Sequence, residues 1–161
     1  MLAHPINAAS VRRGVLVRAS MRVRRMIMAK MSSVVHFEMP YDDRERMAKF
    51  YQSAFGWQTQ MLGEEMGSYV LARTTDTDAS GHPKQPGAIN GGFFPKKPDW
   101  PAQYPSVVLA VDDIQAAIKN VTKAGGRVLG EPMEIPNVGQ YVAFLDTEGN
   151  RASMLQPRPR S

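Results

Sequence analysis

The chain predicts an α+β fold made of two tandem βαβββ modules. Two observations point there. Sliding the sequence against itself by 70 positions lays Asp42-Asp43 on Asp112-Asp113, Lys49 on Lys119, Ala54 on Ala124 and Gly56 on Gly126, and a shift of 72 lays Gly67-Ser68-Tyr69-Val70 on Gly139-Gln140-Tyr141-Val142. Each copy also runs from an alternating apolar strand into an amphipathic helix and then into three strand-like stretches. Two units of this length fit a duplication rather than a solenoid, which stacks more and shorter units.

The first module opens on Val34–Met39, where Val35, Phe37 and Met39 share one face and Val34, His36 and Glu38 the other. Asp42-x-x-Glu45 has the form of a capping box, with Asp42 or Asp43 taking free amides at the helix start. Met47, Phe50, Tyr51, Ala54 and Phe55 then recur at helical spacing as an apolar stripe, and Gly56 suits the left-handed stop. Trp57–Leu62, Ser68–Thr74 and Ile89–Phe94 follow as strands, with Trp57, Phe93 and Phe94 expected in the core. Thr74–Gly87, polar and rich in Gly, Pro and Asp, is expected to be a long hairpin loop. Asn90-Gly91-Gly92 marks a strand where another backbone or a ligand comes close.

The second module repeats the plan. Val107, Leu109 and Val111 form the strand face, Asp112-x-x-Gln115 the cap, and Ile114, Ala117, Ile118, Val121 and Ala124 the stripe, with Gly125-Gly126 at its end. Arg127–Glu131, Gln140–Leu145 and Ala152–Gln156 are its later strands, and Asp146-x-x-Gly149-Asn150 is a turn before the last one. The organisation expected is a basic leader over 1–31, module one over 32–95, a proline-rich linker over 95–105, module two over 105–157 and a tail over 158–161.

Composition narrows the function. There are no cysteines, so disulfides, thiolate metal sites and cysteine nucleophiles are excluded together, in keeping with a cytoplasmic location. Of the 20 basic residues seven lie in 1–30, a stretch without acids, which leaves 13 against 15 acidic ones in the body. The body therefore offers no basic footprint for nucleic acid, and no apolar run is long enough to span a membrane. The leader alternates short apolar runs with arginine. Its plain reading is an untemplated tail, with Met31 as a natural start; an organelle transit peptide and an anion-binding tail are the alternatives. The sequence has no Gly-rich phosphate loop, Gly-x-Ser-x-Gly elbow or His-Glu-x-x-His helix.

Val35-His36-Phe37-Glu38, Asp43-x-Glu45-Arg46, Phe50-Tyr51, Phe55-Gly56-Trp57, Val111-Asp112-Asp113-Ile114, Ala124-Gly125-Gly126 and Phe144-Leu145-Asp146-x-x-Gly149-Asn150-Arg151 together resemble the vicinal oxygen chelate superfamily, which holds glyoxalases, bleomycin-resistance proteins and extradiol dioxygenases. The resemblance covers about residues 33–157. It implies a curved, cup-like mixed sheet with the helices packed outside, a ligand in the cup between the modules, and a homodimer. Metal-using relatives carry a histidine on the first strand of each module and a carboxylate on the last strand of the second. Carried over, these positions are His36, Ser106 and Ser153, and serine is a poor ligand for a borderline divalent ion. The expectation is therefore a protein that binds a small organic ligand without cofactor. The alternative is a lyase, isomerase or dioxygenase-type enzyme using His36 and Glu38, with or without Zn, Ni, Fe or Mn, in which case His36 and Glu38 are the metal's ligands. In either case the His36–Glu38 pair serves as a general acid/base or as a structural hydrogen-bonded pair. Tyr104, Tyr141, Ser106, Ser153 and Trp100 are the expected ligand contacts.

Overall fold

A computed structural model describes residues 30–159; the expectations for the leader, its last two residues aside, fall outside that range. The elements are β1 (Val34–Tyr41), α1 (Arg44–Phe55), β2 (Gln58–Met61), a 3-10 turn (Glu64–Met66), β3 (Val70–Arg73), β4 (Gly91–Pro95), β5 (Ser106–Ala110), α2 (Ile114–Lys123), β6 (Arg127–Ile135), β7 (Gly139–Leu145) and β8 (Arg151–Pro157). All eight strands join one mixed, curved sheet in the order β2-β3-β4-β1-β5-β8-β7-β6, open at β2 and β6. Each module contributes one half. In each, the first strand runs parallel to the last (β1 with β4, β5 with β8), and the halves meet where β1 and β5 pair antiparallel. The predicted βαβββ duplication is the architecture observed.

Period-2 alternation sends each strand's two sets of side chains to opposite faces. On the helix side of module one, Tyr41, Val70, Ala72 and Phe93 are buried, and Phe37, Met39, Met47, Tyr51, Trp57 and Met61 pack around them. In module two, Ile114, Val142, Phe144 and Met154 form the matching cluster under α2. Two separate cores thus brace one sheet from outside, and the inner face carries polar residues beside apolar ones such as Phe94 and Val108.

Several local expectations are corrected. Asp43, one of the two expected, caps α1 by accepting from the Arg46 amide, while α2 is capped by Asp113 rather than Asp112, accepting from the Ala116 amide. Neither Asp42 nor Asp112 opens a reciprocal box; Asp42 instead meets Lys96 at 2.8 Å. Phe50 and Phe55 are 56 % and 62 % exposed, so they are not core. Phe50 lies a helical step of about 100° from Tyr51, on the flank of α1, and Phe55 is its last residue; both make ring contacts with Tyr51 along that flank. Val35 is 41 % exposed and outside the cluster, because the β1–β5 register shifts between Val34 and His36. Gly56 does stop α1 in the left-handed region, at φ 70.

Candidate functional site

Strand register determines which side chains share the inner face. Glu38 stands opposite Ser106 on β5 and Gly92 on β4. One step along, His36 stands opposite Val108, and Val108 opposite Ser153 on β8. His36, Glu38, Ser106 and Ser153 are therefore neighbours on three adjacent strands. Glu38 and Ser106 are each 8 % exposed and Ser153 is fully buried.

Glu38 is the hub. The Tyr141 hydroxyl donates to Glu38 Oε2 at 2.8 Å and the Ser153 hydroxyl to the same oxygen at 3.1 Å, with the two hydroxyls 2.7 Å apart. No described residue donates to Oε1. Burial pushes the Glu38 carboxyl above its ordinary pKa, against the lowering effect of the two hydroxyls and of Arg151. The Tyr141 phenol is pushed up by its own burial and by the adjacent carboxylate, so it stays a donor.

His36 has a different partner. Its Nε2 lies 3.0 Å from the Tyr69 hydroxyl, and burial lowers its pKa from 6.5 to about 4, which keeps the ring neutral near pH 7. Tyr69 can reach it because Gly92 has no side chain: a Cβ there would run into the Tyr69 ring. Gly91 leaves room for Phe37 on the outer face in the same way. The close approach expected at these glycines is thus made by aromatic rings. His36 and Glu38 share a face but not a hydrogen bond; His36 is held by Tyr69 of its own module and Glu38 by Tyr141 on β7 of the other.

A second polar group lies along the same face. Arg151, two residues before Ser153, places its guanidinium carbon 4.7 Å from the Trp100 ring centre and 5.4 Å from that of Phe94. Lys97 lies 4.5 Å from the same indole. Phe94 is buried on this inner face, unlike Phe93, which belongs to the module-one core. Trp100 is 39 % exposed, at the rim. Tyr104, by contrast, is 73 % exposed in the linker, and no side-chain hydrogen bond or ring contact ties it to the cluster. Two surface hollows, of about 280 and 350 Å³, are lined by Gln58 and Arg73–Thr77 and by Tyr41–Asp43 and Phe50, and neither includes His36, Glu38, Ser106, Tyr141, Arg151 or Ser153.

The donor set does not fit a tight transition-metal site. The three positions carried over from metal-using relatives hold one imidazole, already engaged by Tyr69, and two hydroxyls. The module-one counterpart of Ser153, by strand register, is Gly92, which has no donor. Among the described residues no group of three His, Cys, Asp or Glu comes together. Nor is any helix among them long and apolar enough to cross a membrane.

Tyr69 and Arg151 were not among the expected site residues. Both had a sequence signal: the shift of 72 that lays Tyr69 on Tyr141, and the i−2 spacing that puts Arg151 on the face of Ser153.

Comparison with known proteins agrees with the fold. The family model for the Glyoxalase/Bleomycin resistance protein/Dioxygenase superfamily matches residues 33–154. A glyoxylase-like domain-containing protein of Didymella fabae is 34 % identical over 116 residues, covering 70 % of this chain and 84 % of its own. A Mycobacterium bovis protein named as a glyoxylase is 26 % identical over 148 residues, 90 % of this chain but 52 % of the relative, so the chain spans about half its length. Among solved structures, a Streptomyces coelicolor methylmalonyl-CoA epimerase in complex with 2-nitronate-propionyl-CoA superposes with a TM-score of 0.58 at 18 % identity, over 81 % of this chain and all of that one. At that identity the likeness is one of fold.

Proposed function

This chain belongs to the glyoxalase/bleomycin resistance protein/dioxygenase superfamily, and from that premise we propose that it binds a small organic molecule on the inner face of its sheet, against Glu38, without a divalent metal. The observation that carries this reading is the half-satisfied carboxyl of Glu38. It is buried, two hydroxyls converge on Oε2, and Oε1 has no protein donor. Oε1 is not one of the buried polar atoms left without a partner, so it is reached from the open side of the inner face. A carboxyl held rigidly by Oε2 presents Oε1 to a ligand. The serines at two of the three family ligand positions support the metal-free part of the reading.

The test is a thermal-shift screen of a small-molecule library on the wild type and Glu38→Gln, each with and without EDTA. Compounds that raise Tm should do so equally in EDTA and lose most of the effect in Glu38→Gln. Hits that need added metal, or that ignore Glu38, contradict the proposal.

One observation favours a second reading, an isomerase- or lyase-type enzyme. Burial raises the Glu38 carboxyl above its ordinary pKa, which favours a group that returns the proton it takes. On that reading, wild-type protein exchanges a C–H of its ligand with deuterated solvent, and Glu38→Gln does not. Failure of any hit to exchange would leave binding as the function.

A further inference from the structure

The inner face has a second pole that the reading above does not use. Val108 on β5 stands level with Ser153 on β8 in parallel register; continued two residues back along each strand, that register sets Ser106 and Arg151 side by side on the same face. Ser106 also stands opposite Glu38 on β1. Glu38, Ser106 and Arg151 thus form one rung across three adjacent strands, roughly 10 Å from end to end at the usual strand spacing.

Two of the three are unmet donors. The Ser106 hydroxyl and the Arg151 Nε are the side-chain polar atoms that are buried without a hydrogen-bond partner among the described residues. Such atoms are uncommon, and each calls for an explanation. Arg151 makes no ion pair within 4.0 Å among the described residues. Its guanidinium lies against Phe94 and Trp100, which orient it while leaving its edge donors free. Lys97, against the same indole, adds a second positive charge at the rim.

We infer that Arg151 and Ser106 form a carboxylate subsite, and that the ligand is a small organic monoacid whose apolar body lies against Phe94 and Trp100 and extends over Glu38. This rests on the proposed inner-face binding and names the ligand's class. A planar carboxylate matches the guanidinium fork with two oxygens and leaves a lone pair for the serine hydroxyl. A dianion such as phosphate matches less well, because Glu38 stands at the other end of the rung and like charge there is repulsive. The aromatic walls favour an apolar body over a sugar or a peptide backbone.

The experiment is isothermal titration of the full chain with phenylacetate and with its neutral isostere phenylacetamide, in wild type, Arg151→Gln, Arg151→Lys, Ser106→Ala and Glu38→Gln. In the wild type the acid should bind at least tenfold more tightly than the amide. Arg151→Gln should bring the two together. Arg151→Lys, which keeps the charge and the fold but not the fork, should leave an intermediate preference, and Ser106→Ala should weaken the acid several-fold with the amide unchanged. Equal binding of acid and amide by the wild type, or an acid preference that survives in Arg151→Gln, overturns the carboxylate subsite. In that case binding of both probes that weakens in Glu38→Gln leaves the inner-face reading standing. Binding of neither probe at about 10 mM, a Kd so weak that no specific contact is at work, overturns both.

Discussion

His36 makes the site's electrostatics measurable as stability. Its ring is buried against Tyr69, and burial lowers its pKa from 6.5 to about 4. The unfolded chain takes up the proton near 6.5, whereas the folded protein resists it down to about 4. The folded pKa is depressed, so the contribution is fully present above pH 6.5 and is lost as pH falls through the window down to 4. At about 1.4 kcal/mol per pH unit, the loss is about 2 kcal/mol by pH 5 and about 3 kcal/mol below pH 4. The perturbation is His36→Gln, which keeps a hydrogen-bonding side chain but cannot titrate. Urea denaturation of both proteins at pH 7.5, 6, 5 and 4.5 yields a difference curve in which every other acid and histidine cancels. Wild type should lose stability relative to the variant by the amounts above. A curve flat to within about 0.5 kcal/mol, the usual additivity error, would rule out a depressed His36 pKa. So would an NMR titration of the His36 ring with its midpoint near 6.5.

The remaining predictions address the supporting residues. Gly92→Ala drives a methyl group into the Tyr69 ring; overpacking of this kind costs about 1–3 kcal/mol, read as a lower Tm that Tyr69→Leu in the same chain partly restores. Tyr141→Phe removes a donor that lowers the Glu38 pKa. Because that pKa is raised on folding, Glu38 stabilises the fold below its unfolded pKa, and the contribution is lost as pH rises through the folded value. Losing the Tyr141 donor should therefore cost about 1.5–3 kcal/mol at pH 8 and clearly less at pH 4, in denaturation curves at the two pH values. Phe93→Ala empties a position 1 % exposed in the module-one core, at a cost of about 3–5 kcal/mol. By contrast Phe50→Ala, on the exposed flank of α1, should change stability by less than about 1 kcal/mol.

The sequence carried most of the architecture because its signals were redundant. Strand alternation, helix spacing and the 70-residue repeat all pointed to the same duplicated unit, and the two halves of the sheet follow it. What escaped was local. Glu64–Met66 forms a 3-10 turn, and the positive φ of Gly67 and Ser68 delays β3 to Val70, where apolar composition alone suggested a start at Ser68. β6 continues to Ile135 through Gly130 and Pro132, because an irregularity between Leu129 and Met133 absorbs both residues. At the site, the shared face of His36 and Glu38 was readable from strand parity, and Ser106 and Ser153 from the positions the family resemblance assigns; the register that brings the four together was not. Which groups would bond was not readable. His36 bonds to Tyr69 and not to Glu38, a choice set by the room that Gly92 leaves. Arg151 was hidden inside a turn motif, and its place against Phe94 and Trp100 depends on a linker whose path the sequence does not specify.

The proposed binding at Glu38 needs no divalent metal, and the metal content of the full chain is its sharpest check. The full chain, purified without chelator and dialysed against Zn, Ni, Fe(II) or Mn before elemental analysis, should retain far less than one equivalent of any of them. One equivalent of a transition metal, retained by the wild type and lost in His36→Ala, would contradict it.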